Sequence, residues 1–145
     1  MIKLVASDLD STLLHNYQQT VPKEIYDTIK ALHEKGIIFT AASGRQYANI
    51  RRLFAPLGFD IPYIAENGSM CVYKEEVLAT GLTPSKTIRH ILDALMEYRK
   101  IYHTGHCILS VKDTYYSDST DERFIDYMEN DMHNIVTYVP DLYAI

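Results

Sequence analysis

The chain has 145 residues, 47% of them hydrophobic, with only 6 Gly and 5 Pro, which suits one globular domain or one and a fraction and argues against disorder. Nineteen acidic against fourteen basic residues give a formal net charge of -5, and the Lys and Arg residues are scattered singly, so neither a nucleic-acid backbone nor an anionic membrane is an expected partner. No apolar stretch approaches the ~18 residues needed to span a bilayer, and Met1 leads straight into a short strand-like run. Cys71 and Cys107 stand far apart with no CxxC and no Cys/His cluster, so the expectation is a cytoplasmic protein with reduced thiols and no zinc site.

Ile2 to Ala6 is apolar except for Lys3, as a parallel strand covered on both faces reads. After a polar loop, Pro22 suits a first helical position, Val21, Ile25, Ile29 and Leu32 share one face, and Gly36 is placed to end the helix. Ile37 to Ala42 predicts a second buried strand running into Ser43, Gly44 and Arg45. A second helix follows with an apolar stripe of Tyr47, Ile50, Leu53, Phe54 and Leu57, and Tyr63 to Ala65 predicts a third strand. Strand, helix, strand, helix, strand is the order of right-handed βαβ units around a parallel sheet.

The pattern changes after Asn67-Gly68, a dipeptide that favours tight turns. "SMCVYKEEVLATG" reads as two short strands around a polar turn. Thr83-Pro84 opens a helix with Ile88, Ile91, Leu92, Leu95 and Met96 on one face. "CILSVKDTYYSD" reads as strand, turn, strand. Ser119 with Glu122 forms a candidate capping box for a helix carrying Phe124, Ile125, Met128 and Met132, and a last strand follows within "NIVTYVPDLYAI". Residues 1–82 are therefore expected to form one module and 83–145 a second. The six His show no ligand spacing, and the twelve Tyr read as packing.

Two aspartates, Asp8 and Asp10, lie two residues apart where the first strand gives way to "DSTLL". In open α/β sheets ligands bind beyond the carboxyl ends of the strands, and both Asp8-Leu9-Asp10 and Ser43-Gly44-Arg45 fall there. Such a pair suits phosphoryl transfer. An ionised Asp8 can attack phosphorus, while Asp10 protonates the leaving alkoxide and later takes a proton from water. An anionic nucleophile meeting an anionic phosphate needs a cation, and oxygen-only ligands point to Mg2+. Ser43, the Gly44 amide and the start of the next helix would hold phosphate oxygens. Taken singly each motif has a plainer reading: a polar loop, an ordinary helix start, a solvated Arg45, a turn at Asn67.

In combination, "DLDSTLL", "IIFTAASGR" and "YIAENGSMCVY" resemble the haloacid dehalogenase-like (HAD) hydrolase superfamily and, within it, Cof-type phosphatases with a mixed α/β cap. The resemblance is strong over residues 1–82 and weak beyond. It implies a Rossmann-like core followed by part of a cap. Asp8 becomes the nucleophile, and Asp10 the acid and base whose backbone carbonyl also binds the metal held by Asp8. Ser43, Gly44, Arg45 and Asn67 become phosphate- or substrate-binding residues, Thr12 a loop brace, and the substrate a small phosphorylated metabolite. Ser11 stands where the subfamily usually has Gly, which is easily accommodated if the backbone avoids positive φ.

The family's later Lys and its GDxxND-like acidic motif are not found in the sequence, since no Gly-Asp pair follows Gly105. The resemblance thus implies a magnesium-dependent phosphatase that is inactive or weakly active as this chain. Its alternative is a catalytically silent binding or oligomerising module, and a phospho-accepting receiver domain ranks last because "YIAEN" offers only Glu66. The first strand is expected to keep one open side, covered by a second copy of the chain, by a cap segment such as Ile135 to Val139 folding back, or by a C-terminal part of the protein.

Overall fold

β1 (Leu4–Asp8) starts two residues later than its apolar run suggests and ends on Asp8 itself. It pairs in parallel with β2 (Ile38–Ala42), which pairs in parallel with β3 (Tyr63–Ala65). The crossovers are α1 (Lys23–Glu34) and α2 (Tyr47–Phe54), the latter continued by a 3₁₀ turn at Ala55–Leu57. The sheet then extends by an antiparallel hairpin, β4 (Met70–Tyr73) and β5 (Glu76–Thr80), giving the order β1-β2-β3-β4-β5. The hairpin turns on Lys74 and Glu75, both at positive φ (50° and 64°), the backbone of a two-residue type I′ turn. The computed structural model describes residues 1–15, 18–112 and 114–145.

Pro22 is the cap of α1 rather than its first residue, and Gly36 leaves the helix at φ 70°. Ile29 of α1 and Ile50, Leu53 and Phe54 of α2 pack with Phe39, Ala41, Tyr63 and Ala65 into one core. Tyr26 adds a polar tie, its hydroxyl donating to the Leu53 carbonyl at 2.6 Å. Parallel register puts Val5, Phe39, Ala41 and Tyr63 on the helix side, and Leu4 and Ile38, paired across the strands, on the other. Leu4 is 54% and Ile38 48% exposed. The expectation that β1 is covered on both faces is therefore not met: among the described residues α1 and α2 serve one face. The sheet order does leave one side of β1 open, as expected, and Val136–Tyr138 pairs with another strand instead of β1.

The chain divides into two compact units, residues 1–81 and 82–145. The second contains α3 (Ser85–Tyr102) and a separate sheet of order β6-β7-β8. These strands are Leu109–Val111, Thr114–Ser117 and Val136–Tyr138, with α4 (Glu122–Asp126) and a π-helical turn (Tyr127–Asp131) before the last. Leu92 of α3 is buried, but Ile91 is exposed and does not belong to the core stripe. The N-cap of α4 is Asp121, whose Oδ1 accepts from the Arg123 and Phe124 amides, so the expected Ser119–Glu122 box does not form. Ser119 Oγ instead accepts from the Asp121 amide. Arg99 grips both oxygens of Asp118 (2.5 and 2.8 Å) and holds that carboxyl below the usual range. Asp113, in the expected turn, and Asn16 and Tyr17, in the expected polar loop, lie outside the described residues.

Ser11 has φ 64°, so the condition for an easy Gly-to-Ser exchange is not met. A non-glycine residue there costs ~1–2 kcal/mol, partly offset by the greater freedom of glycine in the unfolded chain. Ser11→Gly is expected to raise stability by about 0.5–1 kcal/mol in urea unfolding. A loss of stability would show that the Ser11 side chain makes a stabilising contact.

Candidate functional site

The loop after β1 is a knot tied around one carbonyl. Leu9 O accepts from the amides of Thr12, Leu13 and Leu14 at 3.1, 2.9 and 2.8 Å, and the Ser11 amide donates to Leu14 O at 2.7 Å. Leu9 and Leu14 are both buried in the core, so the loop is anchored at two apolar points while Asp8 and Asp10 are exposed. Among the described residues none of these backbone bonds uses the Asp10 carbonyl. Thr12 Oγ1 donates to Asp8 Oδ2 at 3.2 Å, bracing the carboxylate at the strand end.

Asp8 sits opposite Ala42 in the register, so Ser43 is the next residue along the adjacent strand. The Ser43 amide donates to Ile64 O at 2.9 Å, its carbonyl accepts from the Asn67 amide at 3.1 Å, and Arg45 O accepts from the Glu66 amide at 3.1 Å. Three bonds thus bind the loop after β2 to β3 and the loop that follows it, one to Ile64 and two to Glu66 and Asn67. Ser43 is buried, and its Oγ accepts from the Arg45 amide at 3.1 Å. Among the described residues neither the Ser43 hydroxyl proton nor the Gly44 N–H has a protein acceptor, so both are available to an oxyanion.

Gly44 lies so close to Asn67 that a Cβ built on it would stand 2.8 Å from Asn67 Oδ1. Asn67 and Glu66 are both left-handed, at φ 56° and 53°. Two such residues in succession store local strain, and strain of this kind concentrates at ligand clamps. The Asn67 turn is therefore real, and it brings the side chain against Gly44. Tyr63 nearby belongs to the core: burial pushes its phenol up to about 12, which removes it from proton transfer near neutral pH.

Arg45 departs most from expectation. It is only 5% exposed, so it is no solvated surface charge. All three of its guanidinium nitrogens have partners within the protein. Its Nε and Nη2 donate to the two oxygens of Asp10 at 2.9 and 2.6 Å, and Nη1 donates to Gln19 Oε1 at 3.1 Å and Asn49 Oδ1 at 3.4 Å. Sequence reading missed Gln19 and Asn49. Asn49 could have been found as the i+4 neighbour of Arg45, whereas Gln19 carries no sequence signal. All the nominated residues, Asp8, Asp10, Thr12, Ser43, Gly44, Arg45 and Asn67, cluster at the carboxyl end of β1–β3.

The Asp8 carboxylate and the Asp10 carbonyl are hard oxygens of the kind alkaline-earth ions take, and they are the donors that could hold such an ion here. Among the described residues there is no group of three or more His, Cys, Asp or Glu arranged to hold a metal, so the remaining ligands must come from water or substrate oxygens or from further protein groups. Among the described residues no helix is long and apolar enough to cross a membrane.

A family profile described as haloacid dehalogenase-like hydrolase matches residues 5–143. Phosphoglycolate phosphatase 1 of Saccharolobus solfataricus is 38% identical over 77 residues, covering 52% of this chain and 34% of the relative. A putative phosphatase of Buchnera aphidicola is 36% identical over 78 residues, covering 54% of this chain and 28% of its own length. In three dimensions a haloacid dehalogenase-like hydrolase of B. subtilis superposes with a TM-score of 0.80 at 18% identity, over 99% of this chain and 56% of its own. A second one, from Bacteroides thetaiotaomicron, gives 0.78 at 18%, over 99% and 54%. The chain thus spans about a third of those curated relatives and about half of those structural neighbours.

Removing either partner of the Arg45–Asp10 pair has unequal consequences, because Arg45 is buried and the Asp10 side chain is 48% exposed. Asp10→Ala leaves a buried guanidinium with the amide oxygens of Gln19 and Asn49, and is expected to cost about 2–3 kcal/mol in urea unfolding. Arg45→Met leaves a carboxylate that water can solvate, and is expected to cost about 1 kcal/mol. Equal costs would contradict this asymmetry.

Proposed function

This chain belongs to the haloacid dehalogenase-like hydrolase family, and on that premise we propose that it is the nucleophile-bearing part of a cytoplasmic phosphomonoester hydrolase acting on a small phosphorylated metabolite. The observation that carries the reading is the placement of Asp8 at the end of β1, beside the open hydroxyl and amide of Ser43 and Gly44. Residues 1–82 would supply the core and 83–145 part of a cap.

The chemistry follows from the groups present. An Asp8 oxygen attacks phosphorus and the bond to the substrate's alkoxide breaks, leaving an aspartyl phosphate. Asp10 must enter this half protonated, on an oxygen lone pair turned away from Arg45, and it gives that proton to the departing alkoxide. Water then attacks the same phosphorus, Asp10 takes the water's proton, the bond to Asp8 breaks, and inorganic phosphate leaves with both aspartates restored. Ser43 Oγ–H and the Gly44 N–H donate to the non-bridging oxygens, and Thr12 keeps the Asp8 carboxylate in its rotamer. Mg2+, held by the Asp8 carboxylate and the Asp10 carbonyl, would supply positive charge against the repulsion between nucleophile and phosphate.

In the intact protein Asp8→Asn is expected to abolish turnover of an aryl phosphate, because an amide is a far weaker nucleophile. Asp10→Asn spares the backbone carbonyl and is expected to lower kcat by ~10²–10⁴ with KM little changed. Wild-type turnover in Asp8→Asn would overturn the reading.

A further inference from the structure

A guanidinium has five N–H donors, and in Arg45 four hydrogen bonds already engage all three nitrogens: two to Asp10 and one each to Gln19 and Asn49. The fork that would grip a phosphate is the same Nε and Nη2 pair that grips Asp10. Arg45 cannot offer that fork to Asp10 and to a phosphate at once. The arrangement is also one-sided: the guanidinium is buried, while about half of the Asp10 side chain faces out. The carboxylate is thus held from the protein side and leaves its solvent side open to a reacting oxygen.

We propose that Arg45 is the positioning residue that fixes Asp10 for its proton transfers, and not a ligand of the phosphoryl group. What Asp10 does rests on the phosphatase reading; the pairing itself does not. Two parallel bonds fix the plane of the carboxylate as well as its distance, so the substrate meets Asp10 in a single preset orientation. Gln19 and Asn49 in turn hold the other end of the guanidinium, so Arg45 has little freedom to swing away. A lysine ammonium is a point charge with no planar fork, so it could restore the charge without the orientation.

Two experiments separate this proposal from its premise. In the intact chain carrying isotope-labelled arginine, the Arg45 Nε–H should exchange slowly with water, keep its shift under saturating inorganic phosphate, and lose its protection in Asp10→Ala. A signal indifferent to Asp10→Ala, or one that phosphate moves while Asp10 is present, would overturn the proposal. The Asp10→Ala comparison decides it whether or not phosphate binds.

In turnover of an aryl phosphate, Arg45→Gln should lower kcat by ~10–100-fold with KM within about twofold, as for a displaced proton donor. Arg45→Lys should recover only part of that loss. A rise in KM of about tenfold or more with kcat near wild type, as loss of a charged phosphate contact gives, would make Arg45 a phosphate ligand instead. If Asp8→Asn keeps its turnover, the phosphatase reading fails alone, and the arginine signal still decides the pairing.

Discussion

The buried guanidinium of Arg45 needs a counter-charge, and that need shapes the carboxyl end of the sheet. An unpaired ion in such a place costs several kcal/mol, whereas two carboxylates at a wet strand end repel by only ~1 kcal/mol. Neutralising the buried cation therefore outweighs the repulsion. Asp10 is drawn onto Arg45, which fixes the loop after β1 against the loop after β2. Two acidic residues so close in sequence are thereby tolerated: one is neutralised by an internal cation, and the other, Asp8, is held by a neutral hydroxyl from Thr12.

That pairing would be loose without the apolar anchors beneath it. Leu9 and Leu14 are buried on either side of Asp10, and the Leu9 carbonyl gathers three amides, so the loop has almost no freedom to carry its carboxylates elsewhere. Strained residues complete the frame. Ser11 in one loop and Glu66 and Asn67 in another are left-handed, and each is tied by backbone bonds to its surroundings. Core packing of α1 and α2 on one sheet face supports all of this from below. On the opposite face Leu4 and Ile38 are exposed.

Much of this was legible because periodicity reports burial. β2, β3 and both helices of the first unit carry stripes that match their packing, and "DLD" and "SGR" fall at strand ends as a parallel sheet requires. The failures share a cause. The run Ile2 to Ala6 reads as a strand covered on both faces, yet side-chain pattern cannot report whether a second layer packs there. Ile91 lies beside Leu92 on its helix, but only the facing surface decides which is covered. Asp121 outcompeted Ser119 as a cap through local geometry that composition does not encode. The pairing of Arg45 with Asp10 could not be read because the partner lies thirty-five residues away and the fork has to be seen to be matched.

The covalent step offers the sharpest check on the proposed chemistry. The intact protein would be mixed with an aryl phosphate and magnesium, quenched in acid within a turnover, and digested for peptide mass mapping. A single phosphoryl group on the peptide containing Asp8, absent from Asp8→Asn, is the predicted result. A phosphoryl group on Ser43, or continued turnover by Asp8→Asn with no labelled peptide, would contradict the placement of the nucleophile at the end of β1.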